Sequence, residues 1–253
     1  VNLILLSEQE LASTQIVQDH PTSKILTLDG RRAEHIIDIL NPEPDSTLNA
    51  GIINGNIGQL RVRTVDKTTK QLTVEINLAN FTTPPPKALS TTLIIALPRP
   101  KMVRRMMQMA SECGVKNIHL INSYRVDKSY WSSPLLAPQA VERTLLLGLE
   151  QSVDTQLPQV FLHKRFKPFV EDLLPNIIQG QQALVLHPYA QQKFCDQRSN
   201  KLPITAVLGP EGGFIPYEVD KLQQTGCEPV SWGPRIQRSE TMLGLLLGAL
   251  GAA

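Results

Sequence analysis

A chain of 253 residues, 42% hydrophobic and 19% charged, has the volume for one large domain or two ordinary ones, each with a full apolar core. A net charge of +2 announces no polyanion partner, no apolar run reaches the roughly 18 to 20 residues that span a bilayer, and no basic leader with a cleavage site opens the chain. The expected class is therefore a cytoplasmic protein without a membrane. The charge is unevenly placed: residues 1–86 hold 7 Lys/Arg against 10 Asp/Glu, while the remainder holds 18 against 13. The second part is the better candidate for touching a polyanion.

In the first part, apolar residues recur in short alternating runs. "STLNAGIINGN" carries a turn signal at Asn54-Gly55, and "IGQLRVRTVD" and "KQLTVEINL" alternate as half-buried strands do. One helix is predicted at "RRAEHIIDIL", with Ile36, Ile37 and Leu40 on one face. This describes a small β-barrel-like domain over residues 1–81. The prolines of "TTPPPK" then force an extended connection, read as a linker over 82–87.

From 88 to 253 the rhythm becomes strand, helix, strand. "TTLIIAL" is an apolar strand; Met102, Met106, Met109 and Cys113 follow at helical spacing until Gly114 supplies a C-cap, and "NIHLIN" begins the next strand. Further strands are predicted at "QQALVLHP", "ITAVLG" and "EPVSWG", with helices from Pro216 to Thr225 and from Ser239 to the end. Such alternation implies an α/β domain with a parallel sheet covered by helices, in which ligands sit at the carboxyl ends of strands. Cys113, Cys195 and Cys227 lie far apart without metal-ligand spacing, so structural or incidental thiols are expected and no metal site.

Three stretches fall at that carboxyl edge: His187-Pro188, "LGPEGGF" at 208–214 and "WGPRIQRSET" at 232–241. Glycines remove side chains where another molecule approaches, yet neither glycine-rich loop carries the lysine of a phosphate-gripping P-loop. One such loop alone reads equally well as a tight turn; two after successive strands point to a pocket built from loop backbone. Pro216 and Glu218 suit the start of the following helix, and Ser239 is a plausible N-cap with Glu240 in the first turn. Arg235 and Arg238 sit on the second loop. Arg99, Lys101, Arg104 and Arg105 form a basic cluster at the start of the Met-rich helix, where positive charge opposes the helix dipole unless an anion compensates it. His35, His119 and His163 are scattered; only His187 lies at the pocket edge, where a backbone-bonded histidine is the plainer reading.

"LGPEGGF" followed by "GPRIQRSET", with "ALPRPKMVRRMMQMASECGVKNIHLIN" as the first βαβ unit and "LEQS" at 149–152, resembles the bacterial 16S rRNA (uracil-N3)-methyltransferases of the SPOUT superfamily. That resemblance implies an N-terminal PUA-like β-barrel that binds RNA and a C-terminal SPOUT methyltransferase domain with a deep trefoil knot. It also implies S-adenosylmethionine as cofactor, the small-subunit rRNA or small ribosomal subunit as partner, and a homodimer. The cofactor would be gripped by three loops, here Leu186, His187 and Pro188; Leu208, Gly209 and Gly213; and Trp232, Gly233, Ile236 and Gln237. Arg238 and Glu240 would carry catalysis, Arg238 as the cation beside the developing uracil anion. Arg235, with Arg99, Lys101, Arg104 and Arg105, would contact RNA.

The chain departs from the family pattern in three places. Val153, Asp154 and Thr155 stand where an arginine commonly follows "EQ", Ile215 stands where a small N-cap residue is usual, and Asp38 lies in a segment that commonly carries basic residues. The competing readings are the same fold acting on another RNA or another atom, and an RNA-binding or ribosome-assembly protein without turnover.

Overall fold

Alternation of buried side chains with more exposed ones along β-strand sequences such as "QLTVEIN", whose Leu72, Val74 and Ile76 are all buried, builds the first of two sheets. The structure, a computed structural model, describes residues 2–17, 20–199 and 202–251. Two units divide the chain, one comprising Val1–Lys87 with Leu146–Leu157 and the other Ala88–Leu145 with Pro158–Ala253.

The first unit holds β1 (Ile4–Leu6), β2 (Gln15–Val17), β3 (His20–Leu28), β4 (Thr47–Ile52), β5 (Ile57–Asp66) and β6 (Gln71–Asn77) in the order β1-β4-β5-β6-β3-β2. Only β1 and β4 run parallel, so the sheet is mixed. Its core gathers Leu6, Leu28, Ile36, Leu60, Val62 and Val74. The short helix α1 (Glu8–Ala12) is started by a capping box: the Glu10 amide donates to Ser7 Oγ at 3.2 Å and the Ser7 amide to Glu10 Oε2 at 2.8 Å. The expected hairpin turn lies between β4 and β5, with Asn54 at a φ of 60°.

The helix predicted over 31–40 forms only in part. Regular α2 (Gly30–His35) gives way to a π-turn (Ile36–Leu40), closed by the Asn41 amide on the Ile36 carbonyl at 3.0 Å. The wider turn rotates Leu40 off the apolar face, leaving it 46% exposed while Ile36 and Ile37 stay buried. The three residues therefore do not share one face as their spacing predicted.

Residues 146–157 belong to the first unit through specific bonds. The Glu150 carbonyl accepts from the amides of Asn2 and Leu3 at 3.0 and 3.1 Å, and its buried carboxylate pairs with Arg31 at 2.7 Å. The Asn54 amide donates to the Thr155 carbonyl at 2.8 Å, and Leu149 packs with Leu3 and Leu5. Asp154 is buried and accepts from the Gln156 amide at 2.9 Å. Asp38 is exposed and ion-paired with Lys70.

The second unit is a seven-stranded sheet in the order β11-β13-β10-β12-β7-β8-β9, parallel throughout: β7 (Thr91–Ala96), β8 (Asn117–Ile121), β9 (Gln159–His163), β10 (Gln182–Leu186), β11 (Gln192–Lys193), β12 (Ile204–Leu208) and β13 (Glu228–Ser231). The expected α/β architecture with a parallel sheet is present. Every residue of β7 and β12 is buried, as befits strands covered on both faces. The helices along this part of the chain are α3 (Pro100–Glu112), α4 (Pro138–Ser152, whose residues from 146 on belong to the first unit), the short α5 (Phe166–Pro168) and α6 (Leu174–Ile177), α7 (Phe194–Gln197), α8 (Pro216–Gln224) and, after the last strand, α9 (Ser239–Gly251). Gly114, at a φ of 81°, ends α3 as predicted: the Val115 amide reaches the Ala110 carbonyl and the Gly114 amide the Ser111 carbonyl. The last two residues of the helix predicted from Ser239 lie outside the described residues. Among the described residues, no helix is long and apolar enough to cross a membrane.

Candidate functional site

The neighbouring strands β13, β10 and β12 end at one edge of the sheet, and the loops after them wall a cavity of about 780 Å³. The loop after β12 is a tight turn. Its Gly213 amide donates to the Pro210 carbonyl at 2.8 Å, and Gly213 takes a φ of 73° that a side chain would oppose. At its far end Ile215 has no capping side chain, but Glu218, buried to 2% exposure, turns back to accept from the Ile215 amide at 3.0 Å. The same carboxylate accepts from the Tyr124 amide at 2.7 Å. The departure at Ile215 thus costs the helix start little.

Two arginines from neighbouring strand ends brace this loop. The backbone amide and Nε of Arg99 donate to Glu211 Oε1 at 3.1 and 3.3 Å, so a carboxylate compensates the cation at the N-terminus of α3. Arg125, after β8, donates to the Gly212 carbonyl. A Cβ on Gly212 would stand 3.0 Å from Arg125 Cδ, which makes the absence of a side chain there a matter of room.

The loop after β13 turns at Gly233, whose φ of 149° again favours glycine. Ser239 is the first residue of α9 and not its N-cap: the Met242 amide donates to the Arg238 carbonyl at 2.8 Å. The expectation for Ser239 is corrected, and its hydroxyl instead donates to the Gly209 carbonyl at 3.2 Å, joining the two glycine-proline loops. After β10, the His187 amide donates to the Val230 carbonyl at 2.9 Å, and the ring stands edge-on to Tyr189 with centroids 5.9 Å apart. Burial holds the His187 pKa below its ordinary value, leaving a neutral imidazole at neutral pH. Trp232 stacks on Phe194 at 5.0 Å, which fixes the third wall.

All ten residues expected to grip a cofactor, from Leu186 to Gln237, line this one cavity, as do Arg238, Glu240, Arg235 and Arg99. Lys101, Arg104 and Arg105 do not line it; α3 carries them away from the edge as exposed residues. Arg235 and Arg238 are exposed and make no ion pair among the described residues, so two uncompensated cations stand at the mouth. Sequence reasoning passed over Arg125, Tyr189 and Glu211, which also line the cavity. The strand-end rule applied to "NIHLINSYR" would have found Arg125, four residues beyond β8.

The remaining reactive groups are accounted for elsewhere. All three cysteines are free; Cys113 and Cys195 are exposed, and burial pushes the Cys227 thiol up to about 12. Among the described residues, no group of three or more His, Cys, Asp or Glu is placed to hold a metal ion.

The family model described as RNA methyltransferase domain matches residues 85–251, a range that contains the whole cavity. The chain belongs to this family. It is 25% identical over 252 residues to the ribosomal RNA small subunit methyltransferase E of Treponema pallidum, covering 95% of this chain and 87% of that protein. The protein of the same name from Mycobacterium bovis is 24% identical over 240 residues, covering 91% and 87%. In fold the chain is similar to a ribosomal RNA small subunit methyltransferase E from Neisseria gonorrhoeae bound to S-adenosyl methionine, with a TM-score of 0.74, 18% identity and coverage of 100% and 97%. It is also similar to a protein from Legionella pneumophila in complex with the same cofactor, with a TM-score of 0.71, 21% identity and coverage of 100% and 98%.

Proposed function

We propose that this RNA methyltransferase uses S-adenosylmethionine to methylate N3 of a uridine in small-subunit (16S) rRNA. The observation that carries the reading is the meeting of three strand-end loops at one cavity, walled by backbone and apolar side chains and rimmed by unpaired arginines. The residues present fit the cofactor. Leu186, Leu208 and Met242 would offer apolar surface to an adenine, Gly209, Gly213 and Gly233 leave the backbone open to close approach, and about 780 Å³ has room for a nucleoside with an amino-acid tail.

When bound, the cofactor supplies an electrophilic methyl group on a sulfonium. The chain's own task is to align uracil N3 with that methyl and to manage one proton, because the N3–H form is a poor nucleophile. With S-adenosylmethionine held by these loops, its methyl group would pass to N3 as N3 gives up its proton. Arg238 stands at the rim where its guanidinium stabilises the negative charge that develops on the uracil. Glu240, in the first turn of α9, positions the base or accepts the proton. Arg235 and Arg99 meet RNA phosphate or base edges at the mouth.

The finer fold assignment belongs to the same reading. The mixed six-stranded sheet supports a PUA-like RNA-binding domain over residues 1–81, and strand order with β10 between β12 and β13 supports a SPOUT domain with a deep trefoil knot over 88–253. Leu245, 40% exposed on α9, supports a homodimer through the final helix. Purified chain with labelled S-adenosylmethionine and 16S rRNA lacking the modification tests the activity: transfer to a uridine N3 supports it, and cofactor binding without transfer favours the assembly-protein reading.

A further inference from the structure

We infer that the carboxyl ends of β8 and β9 carry an RNA-facing strip that continues from the cavity, made of Tyr124, Arg125 and Lys128 on one loop and Lys164 and Arg165 on the next. The inference rests on the RNA methyl-transfer reading and assigns the surface that the substrate's backbone follows on its way to the site.

Topology supplies the continuity. Along the edge of the sheet, in the order β13-β10-β12-β7-β8-β9, the end of β13 presents Arg235 and Arg238, that of β7 presents Arg99, which pairs with Glu211 from the loop after β12, that of β8 presents Arg125 and Lys128, and that of β9 presents Lys164 and Arg165. Five interstrand steps of about 4.8 Å make an edge of about 24 Å, long enough to lie along several successive phosphates. The Asn122 amide donates to the His163 carbonyl at 2.9 Å, which holds the last two of these loops together.

The strip carries four cations against one acid. "HKRFKP" at 163–168 contains no acid, and "SYRVDKS" at 123–129 contains only Asp127, whose carboxylate accepts from the Ser129 amide at 2.8 Å. Lys128, Lys164 and Arg165 are exposed and make no ion pair among the described residues. Lys167 is excluded from the strip because Glu171 stands 3.9 Å away and also holds Lys221 at 3.0 Å.

Tyr124 adds the second half of a nucleic-acid surface. Its side chain is 79% exposed, yet its amide is fixed by the buried Glu218 and its neighbour Arg125 is bound to the Gly212 carbonyl. A solvent-facing ring on a fixed backbone, next to a cation, is what single-stranded RNA uses, with bases stacking on the aromatic face and phosphates meeting the guanidinium and ammonium groups. A protein partner would ask for an apolar patch, whereas this strip is cationic.

The test is filter binding of in vitro transcribed 16S rRNA to the full chain across a salt series, with S-adenosylmethionine affinity measured in parallel by calorimetry. The Lys164→Gln/Arg165→Gln pair is expected to lower the slope of log affinity against log salt by about 0.7 for each charge removed, with cofactor affinity unchanged. Tyr124→Ala is expected to weaken RNA binding about tenfold, while Tyr124→Phe retains it. RNA affinity and salt slope unchanged in both sets overturn the inference and leave the methyl-transfer reading standing. Parallel loss of cofactor affinity also overturns it, because the residues then serve the cavity. A wild-type chain that neither binds the RNA nor methylates it overturns both.

Discussion

Ser239 Oγ donates to the Gly209 carbonyl oxygen at 3.2 Å across 30 residues of sequence, and this bond joins the two glycine-proline loops that face each other over the cavity. Ser239→Ala removes it without changing the helix start. A single neutral hydrogen bond contributes about 1 kcal/mol to stability, so a loss of that order in urea unfolding is expected, together with weaker S-adenosylmethionine binding by calorimetry. Unchanged affinity would show that each loop holds its shape alone.

Glu218 is more costly to lose. It is buried and accepts from two backbone amides, Ile215 and Tyr124, on different loops. Glu218→Ala leaves both donors without this partner and is expected to destabilise the chain by about 2–4 kcal/mol in urea unfolding, while Glu218→Gln, which keeps one acceptor oxygen, loses roughly half as much.

Gly233→Ala isolates a backbone effect. An added Cβ meets nothing within 4 Å, so space is free and only the φ of 149° resists it. A cost of about 1–3 kcal/mol is expected, relieved by local movement of the loop. The readout is weakened cofactor binding with far-ultraviolet circular dichroism preserved.

Acid sensitivity follows from the histidine pair between β8 and β9. His119 Nδ1 lies 3.0 Å from His163 Nε2, and burial, aided by the neighbouring His163, lowers the His119 pKa from 6.5 to about 4. The unfolded chain therefore takes up the proton first as the pH falls. Stability from this group is complete above about pH 6.5 and is lost progressively as the pH drops towards 4, with a magnitude on the order of 2 kcal/mol. His119→Leu should flatten that part of the stability-against-pH curve; an unaltered curve would show that other groups govern it.

Much of the site was legible because it depends on local rules. Apolar runs marked β7, β10, β12 and β13, and the rule that parallel strands bind ligands at their carboxyl ends collected His187, Gly209, Gly233 and Arg238 before any coordinates. What escaped depends on contacts between distant residues. Ser239 had the chemistry of an N-cap, yet the Gly209 carbonyl from another loop claims its hydroxyl. Leu40 had helical spacing, but a single π-turn rotated it outward. Asp154, which departs from the family pattern, is a buried group of the first unit, in a segment placed there through pairings of Asn54 and Leu3 that no local pattern announces. Arg125 lay outside any motif and enters the cavity only because β8 ends two strands from β12.

The most direct test of the central claim is to incubate the purified chain and its Arg238→Ala variant with labelled S-adenosylmethionine and unmodified 16S rRNA, then map the methyl group by mass spectrometry of rRNA digests. The account predicts label at N3 of one uridine with the wild-type chain, and loss of transfer with nearly unchanged cofactor affinity in the variant. Label on another atom or another RNA, or a variant that transfers as well as the wild type, would contradict it.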